Sequence, residues 1–106
     1  MKNITAAEFA KILPNLDSES MVVDVREIKE YEESHIKDSI NVPLSNIGQG
    51  LAVLKKYKTI YLICESGARS NYAREVLKTA DIQTINISDG LNAIKKTGVV
   101  VIEEGQ

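Results

Sequence analysis

The chain has one cysteine, Cys64, which stands where an apolar run gives way to a polar segment. That segment carries one carboxylate, two hydroxyl groups, two small residues and one arginine: Glu65, Ser66, Gly67, Ala68, Arg69 and Ser70. Cysteine attacks electrophiles as the thiolate, which backbone N–H groups, a helix N-terminus or an arginine stabilise. Because Gly67 can adopt conformations closed to other residues, the loop can turn successive N–H groups inward as an anion-binding nest. The residue types and their spacing predict a nucleophilic thiol in an anion cradle.

Free cysteines are also often small buried residues without any chemistry. The place of Cys64 at the end of an apolar run fits that interpretation as well. A glycine, two hydroxyl groups and an arginine suit an anion cradle better than a core, so we favour a reactive Cys64. With one cysteine and one histidine, His35, the chain alone forms no disulfide, zinc finger or iron–sulfur cluster.

The elements that must position this loop follow from the hydrophobic pattern. Short apolar runs alternate with segments of helical periodicity, which predicts an α/β domain on a mostly parallel sheet. Residues 59–63 are β-branched, aromatic or apolar throughout, and we place them as a buried strand at the sheet centre. Ligands bind at the carboxyl ends of parallel strands, and Cys64 follows this strand directly.

The remaining elements are predicted from the same pattern and from capping signals. Further strands are expected at 21–24, 40–42 and 84–87, with an extended segment at 99–102. Helices are expected at 6–13, 27–33, 45–56 with a break at Gly48 and Gly50, 70–79 and 90–96. Thr5 and Glu8 have the spacing of a capping box for the first helix.

The composition fits one soluble globular domain over residues 1–106, with 43% hydrophobic and 26% charged residues. Thirteen Lys and Arg against fifteen Asp and Glu give a formal charge of -2, so no overall positive field would attract a nucleic acid or an anionic membrane. No apolar run is long enough to span a bilayer or to act as a signal peptide. We therefore expect a cytoplasmic protein with a reduced thiol and with neither a nucleic-acid nor a membrane partner.

Asp24 and Arg26 end a predicted strand at the same sheet edge as Cys64, and two roles are open for them. They could orient the cysteine loop or pair with Arg69. Alternatively, Asp24 caps the following helix and Arg26 forms a surface ion pair with Glu30, four residues further on.

The spacing Cys64-x-x-Gly67-x-Arg69-Ser70 resembles the active-site loop of the rhodanese superfamily of sulfurtransferases. Two further blocks are similar to those of the family and stand in the same order. The upstream block comprises residues 24–27, 30–31, 35–36 and 39–43, and the downstream block comprises residues 89–93 and 95–98. The resemblance covers nearly the whole chain. In the downstream block, Asp89 stands where the family commonly has a glycine, which bears on local packing more than on chemistry.

The resemblance implies a fold and an activity. The fold is a single rhodanese-like domain with a central, mostly parallel sheet of about five strands and helices on both faces. The activity is transfer of a sulfane sulfur from thiosulfate or a persulfide donor to a thiol or cyanide, through a persulfide on Cys64. The backbone N–H groups of residues 65–70 would bind the anion, and Arg69 would supply charge or brace the loop. The expected partners are small sulfur donors, thiol acceptors and a sulfur-relay protein, with no metal and no organic cofactor.

Other interpretations remain beside this one. The domain can act as a persulfide carrier or protein-interaction module with little turnover of small donors. His35 is the only side chain with an ordinary pKa near neutrality, but sulfur transfer to a thiolate needs no base, so we favour a structural role after the second helix. A phosphatase is disfavoured, because Cys64 and Arg69 are five positions apart, whereas the related phosphatases have them six apart around a phosphate-sized pocket.

Glu65 is the departure that bears on substrate choice. An acidic neighbour disfavours the thiolate and repels a dianion such as thiosulfate. Family members that use small anionic donors often carry basic residues in this loop, and here only Arg69 is basic. We therefore expect thiosulfate to be bound poorly and a persulfide to be the better donor.

Overall fold

The strands follow the short apolar runs of the chain. The computed structural model describes residues 3–104, and its strands are β1 (Asn3–Ile4), β2 (Ser20–Asp24), β3 (Ser34–Ile36), β4 (Ile40–Asn41), β5 (Thr59–Ile63), β6 (Ile85–Ile87) and β7 (Val101–Glu103). Five of them form one parallel sheet in the order β1-β6-β5-β2-β4. The predicted α/β fold with a parallel five-stranded sheet is confirmed, and β5 lies at its centre. The predicted domain boundary, 1–106, includes residues 1, 2, 105 and 106, which lie outside the described residues.

The helices connect these strands and largely match the prediction. They are α1 (Ala6–Ile12), α2 (Ile28–Glu33), α3 (Leu51–Leu54), α4 (Ala68–Thr79) and α5 (Gly90–Ile94), with 3-10 turns at Leu13–Asn15 and Leu44–Gly50. The capping box of Thr5 and Glu8 begins α1 as predicted. The predicted helix 45–56 is wrong over its first half, which is a 3-10 segment with a kink at Asn46. Two glycines in one turn weaken an α-helix enough for this alternative.

The two faces of the sheet carry separate apolar cores, so helices cover both sides as predicted. Side chains of α3 and α4 pack on one face, where the core includes Leu54, Leu62, Cys64, Ala73 and Leu77. Side chains of α1 and α5 pack on the other face, where the core includes Phe9, Tyr61, Ile63, Leu91 and Ile94. Alternate residues of β5 enter opposite cores, which explains why this strand is apolar or aromatic from Ile60 to Ile63.

A second, two-stranded sheet was not expected. The predicted extended segment 99–102 contributes β7, which pairs antiparallel with β3 through His35 and Ile102. The backbone bond from Glu104 N–H to the carbonyl of Glu33, 2.8 Å, continues this pairing to the end of α2. The strands β1 and β3 were missed in the sequence; they are two and three residues long, and their residues are only partly apolar. Over residues 3–104, no helix has the length and apolar character needed to cross a bilayer.

Candidate active site

The cysteine loop lies between the central strand and the longest helix. Cys64 follows β5 directly, and α4 begins at Ala68 after Gly67, whose φ is 98°. A Cβ at Gly67 would lie 2.0 Å from the carbonyl oxygen of Ser88, so only glycine fits this position. The left-handed glycine lets the chain turn from strand to helix within the four residues 64–67. For this reason α4 begins two residues earlier than the predicted helix.

The sulfur of Cys64 lies at the bottom of this turn, where backbone donors surround it. The residue is 1% exposed, and its Sγ accepts hydrogen bonds from the N–H groups of Gly67 (3.1 Å) and Ser70 (3.3 Å). Within residues 3–104, the N–H groups of Ser66, Ala68 and Arg69 form no hydrogen bond to the protein. The loop therefore combines occupied donors at the sulfur with unoccupied donors beside it, as an anion cradle requires.

A buried polar pair fixes the hydroxyl group beside the sulfur. Ser70 Oγ lies 3.3 Å from Cys64 Sγ, accepting from the thiol, and also contacts the carbonyl of Gly67 at 3.2 Å. The same hydroxyl donates to Oδ1 of Asn86 on β6, whose side-chain amide reaches the Gly67 carbonyl at 3.4 Å. Sequence reasoning missed Asn86. The sequence did contain a signal for this residue. Asn86 is a lone amide between two isoleucines in a buried strand, where a polar group without a hydrogen-bond partner would be energetically costly.

The first turn of α5 holds the carbonyl groups of the cysteine loop. Leu91 N–H donates to the carbonyl of Cys64 at 2.8 Å, and Asn92 N–H donates to that of Glu65 at 3.3 Å. Gly90 has a φ of 72°, and a Cβ there would lie 2.3 Å from the Glu65 oxygen. The carbonyl groups of Cys64 and Glu65 are thus bound on the side of the loop that faces α5, which leaves the N–H groups of the loop available on the opposite side. Asp89, the departure from the family pattern, accepts from Ala6 N–H at 2.7 Å and so serves local packing.

Arg26 and Asp24 form a buried ion pair beside the loop. The Asp24 carboxylate accepts from Nε (3.0 Å) and Nη2 (2.9 Å) of Arg26, whose Nη2 also reaches the carbonyl of Ser34 at 2.5 Å. Arg26 Nη1 contacts the loop itself at Glu65 Oε1, 3.3 Å away. Burial opposes the charge of Arg26, but hydrogen bonds and charge from Asp24, with Glu65 and Glu30, hold its pKa above the ordinary value. The pair therefore braces the loop from below.

Two predicted alternatives for these residues are wrong: that Asp24 caps the following helix, and that Arg26 forms a surface ion pair with Glu30. Arg26 is 2% exposed and pairs with Asp24 rather than with Glu30. Asp24 accepts from Arg26 N–H at 3.0 Å and does not cap α2, whose N-terminal residue Glu27 forms a capping box with Glu30. No hydrogen bond joins Asp24 or Arg26 to Arg69 among the residues described.

Arg69 points its guanidinium at α2 and not at the sulfur. Its Nη1 and Nη2 donate to Oε1 and Oε2 of Glu30 at 2.7 and 2.9 Å, a bidentate pair in which the two side chains are 39% and 35% exposed. The hydrogen bonds from Arg69 lower the pKa of Glu30 to about 2, assisted by the N–H of Glu27 and opposed by partial burial. The same carboxylate raises the pKa of Arg69 above its ordinary value. The sequence allowed two roles for Arg69, supplying charge to an anion or bracing the loop. The contact with Glu30 is of the bracing kind.

His35 lies away from this set of contacts. Its ring stacks on Tyr31 with centroids 3.9 Å apart, and its Nδ1 lies 2.7 Å from the Tyr31 carbonyl oxygen. Tyr31 in turn donates its hydroxyl to the carbonyl of Ser39. His35 makes no hydrogen bond to residues 64–70, and its contacts join α2 to β3. Within residues 3–104, no group of three or more His, Cys, Asp and Glu side chains could hold a metal ion.

The five charged side chains beside the loop form what we call the charged cluster: Asp24, Arg26, Glu30, Glu65 and Arg69. Two positive against three negative charges give it a formal charge of -1, counted from these residue types. Both arginines donate to carboxylates of the protein. Among residues 3–104, the side of the loop beside the sulfur therefore offers backbone N–H groups, while both arginines of the charged cluster are paired with carboxylates.

Comparisons with known proteins agree with the resemblance seen in the sequence. The family model for the rhodanese-like domain matches residues 5–97. The chain is 33% identical over 89 residues, 84% of each chain, to a Bacillus subtilis protein named "Putative sulfurtransferase YtwF". It is 28% identical over 95 residues to the thiosulfate sulfurtransferase PspE of Escherichia coli, covering 88% of this chain and 90% of that protein. Among solved structures, a rhodanese-like domain protein from Staphylococcus aureus superposes with a TM-score of 0.84 at 28% identity, over 94% of this chain and 97% of that one.

Some relatives are longer than this chain. A Bacillus subtilis protein named "Putative sulfur carrier protein YrkF" is 36% identical over 76 residues, which are 71% of this chain and 41% of that protein. The chain spans about half the length of the first curated relatives it matches, with shares of 41%, 57% and 59%.

Proposed function

Because this chain belongs to the family of rhodanese-like domains, whose relatives are named as sulfurtransferases and sulfur carriers, we propose that it transfers a sulfane sulfur through a persulfide on Cys64. One observation carries the proposal. The only cysteine of the chain receives two backbone hydrogen bonds in a loop between a buried strand and a helix N-terminus. Residues 65–70 are the anion-binding loop, Asp24 and Arg26 brace it, and the reaction needs no metal or cofactor.

In the first half-reaction the Cys64 thiolate attacks the outer sulfur of the donor. With thiosulfate, a bond forms between Sγ and that sulfur, the S–S bond of the donor breaks, and sulfite leaves with the electron pair. With a thiol persulfide, the same attack releases a thiolate. The terminal sulfur now bound to Cys64 carries the negative charge. The N–H groups of Ser66, Ala68 and Arg69, which have no acceptor in residues 3–104, can bind this charge.

In the second half-reaction an acceptor removes the sulfur. A thiolate or cyanide attacks the terminal sulfur, the bond to Sγ breaks, and the electron pair returns to Cys64 as the thiolate. The acceptor leaves as a persulfide or as thiocyanate. The two steps balance without an oxidant or a reductant, which is ping-pong covalent catalysis.

A persulfide carrier is the second candidate, and two features favour it. Cys64 is 1% exposed, so a donor must deliver its sulfur to a buried Sγ. The charged cluster has a formal charge of -1, which does not attract a dianion. As a carrier, the domain would receive sulfur from a persulfide and pass it to the thiol of a sulfur-relay protein. The relative named as a sulfur carrier agrees with this alternative.

The test is a thiosulfate-to-cyanide assay on the wild type and on Cys64→Ser, with mass spectrometry of the protein after exposure to each donor. We expect a mass increase of one sulfur atom on the wild type and none on Cys64→Ser. We also expect any turnover to fall at least about a thousandfold in the variant, because the covalent intermediate is lost. Sustained turnover supports the enzyme, whereas a stable persulfide with negligible turnover supports the carrier. If no donor loads Cys64, sulfur transfer is refuted.

A further inference from the structure

Glu30 of α2 holds the guanidinium of Arg69, one of the two arginines beside the cysteine loop. The residue lies 39 positions before Arg69, yet its two oxygens accept from the two terminal nitrogens of that arginine at 2.7 and 2.9 Å. Its Oε1 also accepts from Glu27 N–H at 3.1 Å, which completes the capping box of α2. The carboxylate is thus held both by its own helix and by the arginine. A pKa of about 2 keeps it ionised at every pH at which the domain would work.

The Glu30 carboxylate binds the guanidinium of Arg69 through two N–H bonds, in the way that a sulfonate group of a donor would bind it. A guanidinium binds carboxylate, phosphate or sulfonate oxygens through two parallel N–H bonds, and one fork serves one such partner at a time. In Arg69 both terminal nitrogens are already used by Glu30. A donor such as thiosulfate, whose leaving group is sulfite, therefore meets a guanidinium whose charge and terminal fork are already matched by Glu30, and it gains that fork only by displacing the carboxylate.

The other arginine beside the loop is also unavailable to a donor. Arg26 is buried, and Asp24, Glu65 and the Ser34 carbonyl together take its donors. A thiol persulfide requires neither arginine, because only its terminal sulfur must enter the cradle, where backbone N–H groups receive it. The contacts of Arg26 and Arg69 thus disfavour one class of donor and leave the other unaffected.

We propose that Glu30 is a specificity-determining residue, which by holding Arg69 selects thiol persulfides over sulfur donors that carry an oxoanion group. The proposal rests on sulfur transfer through Cys64. The residue that selects the donor would then lie on α2, outside the cysteine loop. Glu65, the acidic loop residue, contacts Arg26 and not Arg69, so the effect of Glu30 is separable from that of Glu65.

The decisive variant is Glu30→Gln. The amide oxygen of glutamine can still accept from Glu27 N–H, so the helix cap is retained, while the charge that holds Arg69 is lost. Glu32→Gln is the matched control, because Glu32 lies on the same helix, is exposed, and forms no salt bridge within residues 3–104. Circular dichroism and thermal unfolding first establish that each variant is folded. If Glu30→Gln lowers the melting temperature, loading of all proteins is measured at a temperature at which that variant is folded.

The readout is kcat/KM for loading Cys64, with thiosulfate as the oxoanion donor and cysteine persulfide as the thiol donor. We expect Glu30→Gln to raise kcat/KM for thiosulfate about tenfold, chiefly through a lower KM, because Arg69 gains a charge-assisted contact with the donor. Loading by cysteine persulfide should change by less than about twofold, since it does not use Arg69. Glu32→Gln should change neither value by more than about twofold.

A third protein separates release of Arg69 from the simple loss of a negative charge. In the Glu30→Gln/Arg69→Gln double variant, thiosulfate loading should equal that of Arg69→Gln alone, because Arg69 is no longer present to be released. An unchanged thiosulfate value in Glu30→Gln, or the same gain in the Arg69→Gln background, overturns the role of Glu30. Failure of both donors to load wild-type Cys64 refutes sulfur transfer instead, so the two failures are distinguishable.

Discussion

The two sides of the cysteine loop are built from the same chemical groups with opposite exposure to water. On one side, Arg26 and Asp24 are 2% and 0% exposed, and the pair lies beneath the loop. On the other side, the side chains of Arg69 and Glu30 are 39% and 35% exposed. A buried ion pair stabilises a protein little by itself. Removing one partner is nevertheless costly, because the other charge stays buried without a counter-charge and without water. An exposed pair is cheap to break, because water takes the partner's place. We therefore regard the buried side as scaffold and the exposed side as adjustable.

The largest effect should come from breaking the buried side. Asp24→Ala leaves Arg26 without its bidentate partner, and we expect the free energy of unfolding to fall by about 3–5 kcal/mol. Glu65→Ala removes the other carboxylate of the same arginine, at a side chain that is 41% exposed, and should cost less than about 1 kcal/mol. Urea denaturation measures both values. Equal losses in the two variants would contradict the division between the two sides.

Breaking the neutral buried pair of Ser70 and Asn86 should have an intermediate effect on the free energy of unfolding. Asn86→Leu removes the acceptor that β6 offers to the Ser70 hydroxyl and the amide that reaches the Gly67 carbonyl, and we expect the free energy of unfolding to fall by about 1–3 kcal/mol because these buried hydrogen bonds are lost. Loading of Cys64 with sulfur should also slow severalfold, since the hydroxyl beside Sγ loses its fixed orientation. The matched control is Asn71→Leu, an exposed amide on α4, which should cost no more than about 0.5 kcal/mol. A loss as small as that of the control would exclude Asn86 from the scaffold.

The smallest effect should appear in acid on the exposed side. The pKa of Glu30 is lowered to about 2 in the folded protein from 4.5, so the stabilisation by its charge is fully present above pH 4.5. It is lost as the pH falls toward 2, because the unfolded chain then binds the proton first. With the pair about a third exposed, we expect less than about 1 kcal/mol. Unfolding free energies of wild type and Glu30→Gln should differ above pH 5 and converge by about pH 2; a difference that does not change with pH would contradict the assignment.

Local sequence was sufficient for the central strand and for the loop that follows it. The apolar run 59–63 marks the buried strand, and Gly67, followed by a helical segment, marks the turn into α4. Both depend on residues that are neighbours in the chain. The cradle around Cys64 is built from the same short segment, and for this reason its N–H groups could be anticipated.

The charged contacts could not be derived in this way, because their partners are distant in sequence. Arg26 meets Glu65, and Arg69 meets Glu30, across 39 residues each. The i, i+4 spacing of Arg26 and Glu30 suggested a pair within one helix, but Arg26 lies before α2 begins, where that spacing has no meaning. Asn86 reaches Ser70 only because β6 lies next to β5 in the sheet. Such pairings follow from strand order, which a single sequence does not specify.

The support that α5 gives to the cysteine loop has a consequence for how the protein is made. Ribosomes release a chain from its N-terminus, and the carbonyls of Cys64 and Glu65 acquire their donors only when Leu91 and Asn92 arrive. Gly90, which alone permits the close approach to Glu65, also belongs to this late segment. In a nascent chain these two carbonyl groups therefore lack their donors until residues 90–92 have been added. The cysteine loop reaches its final form only when the segment that follows β6 has been made and has folded against it.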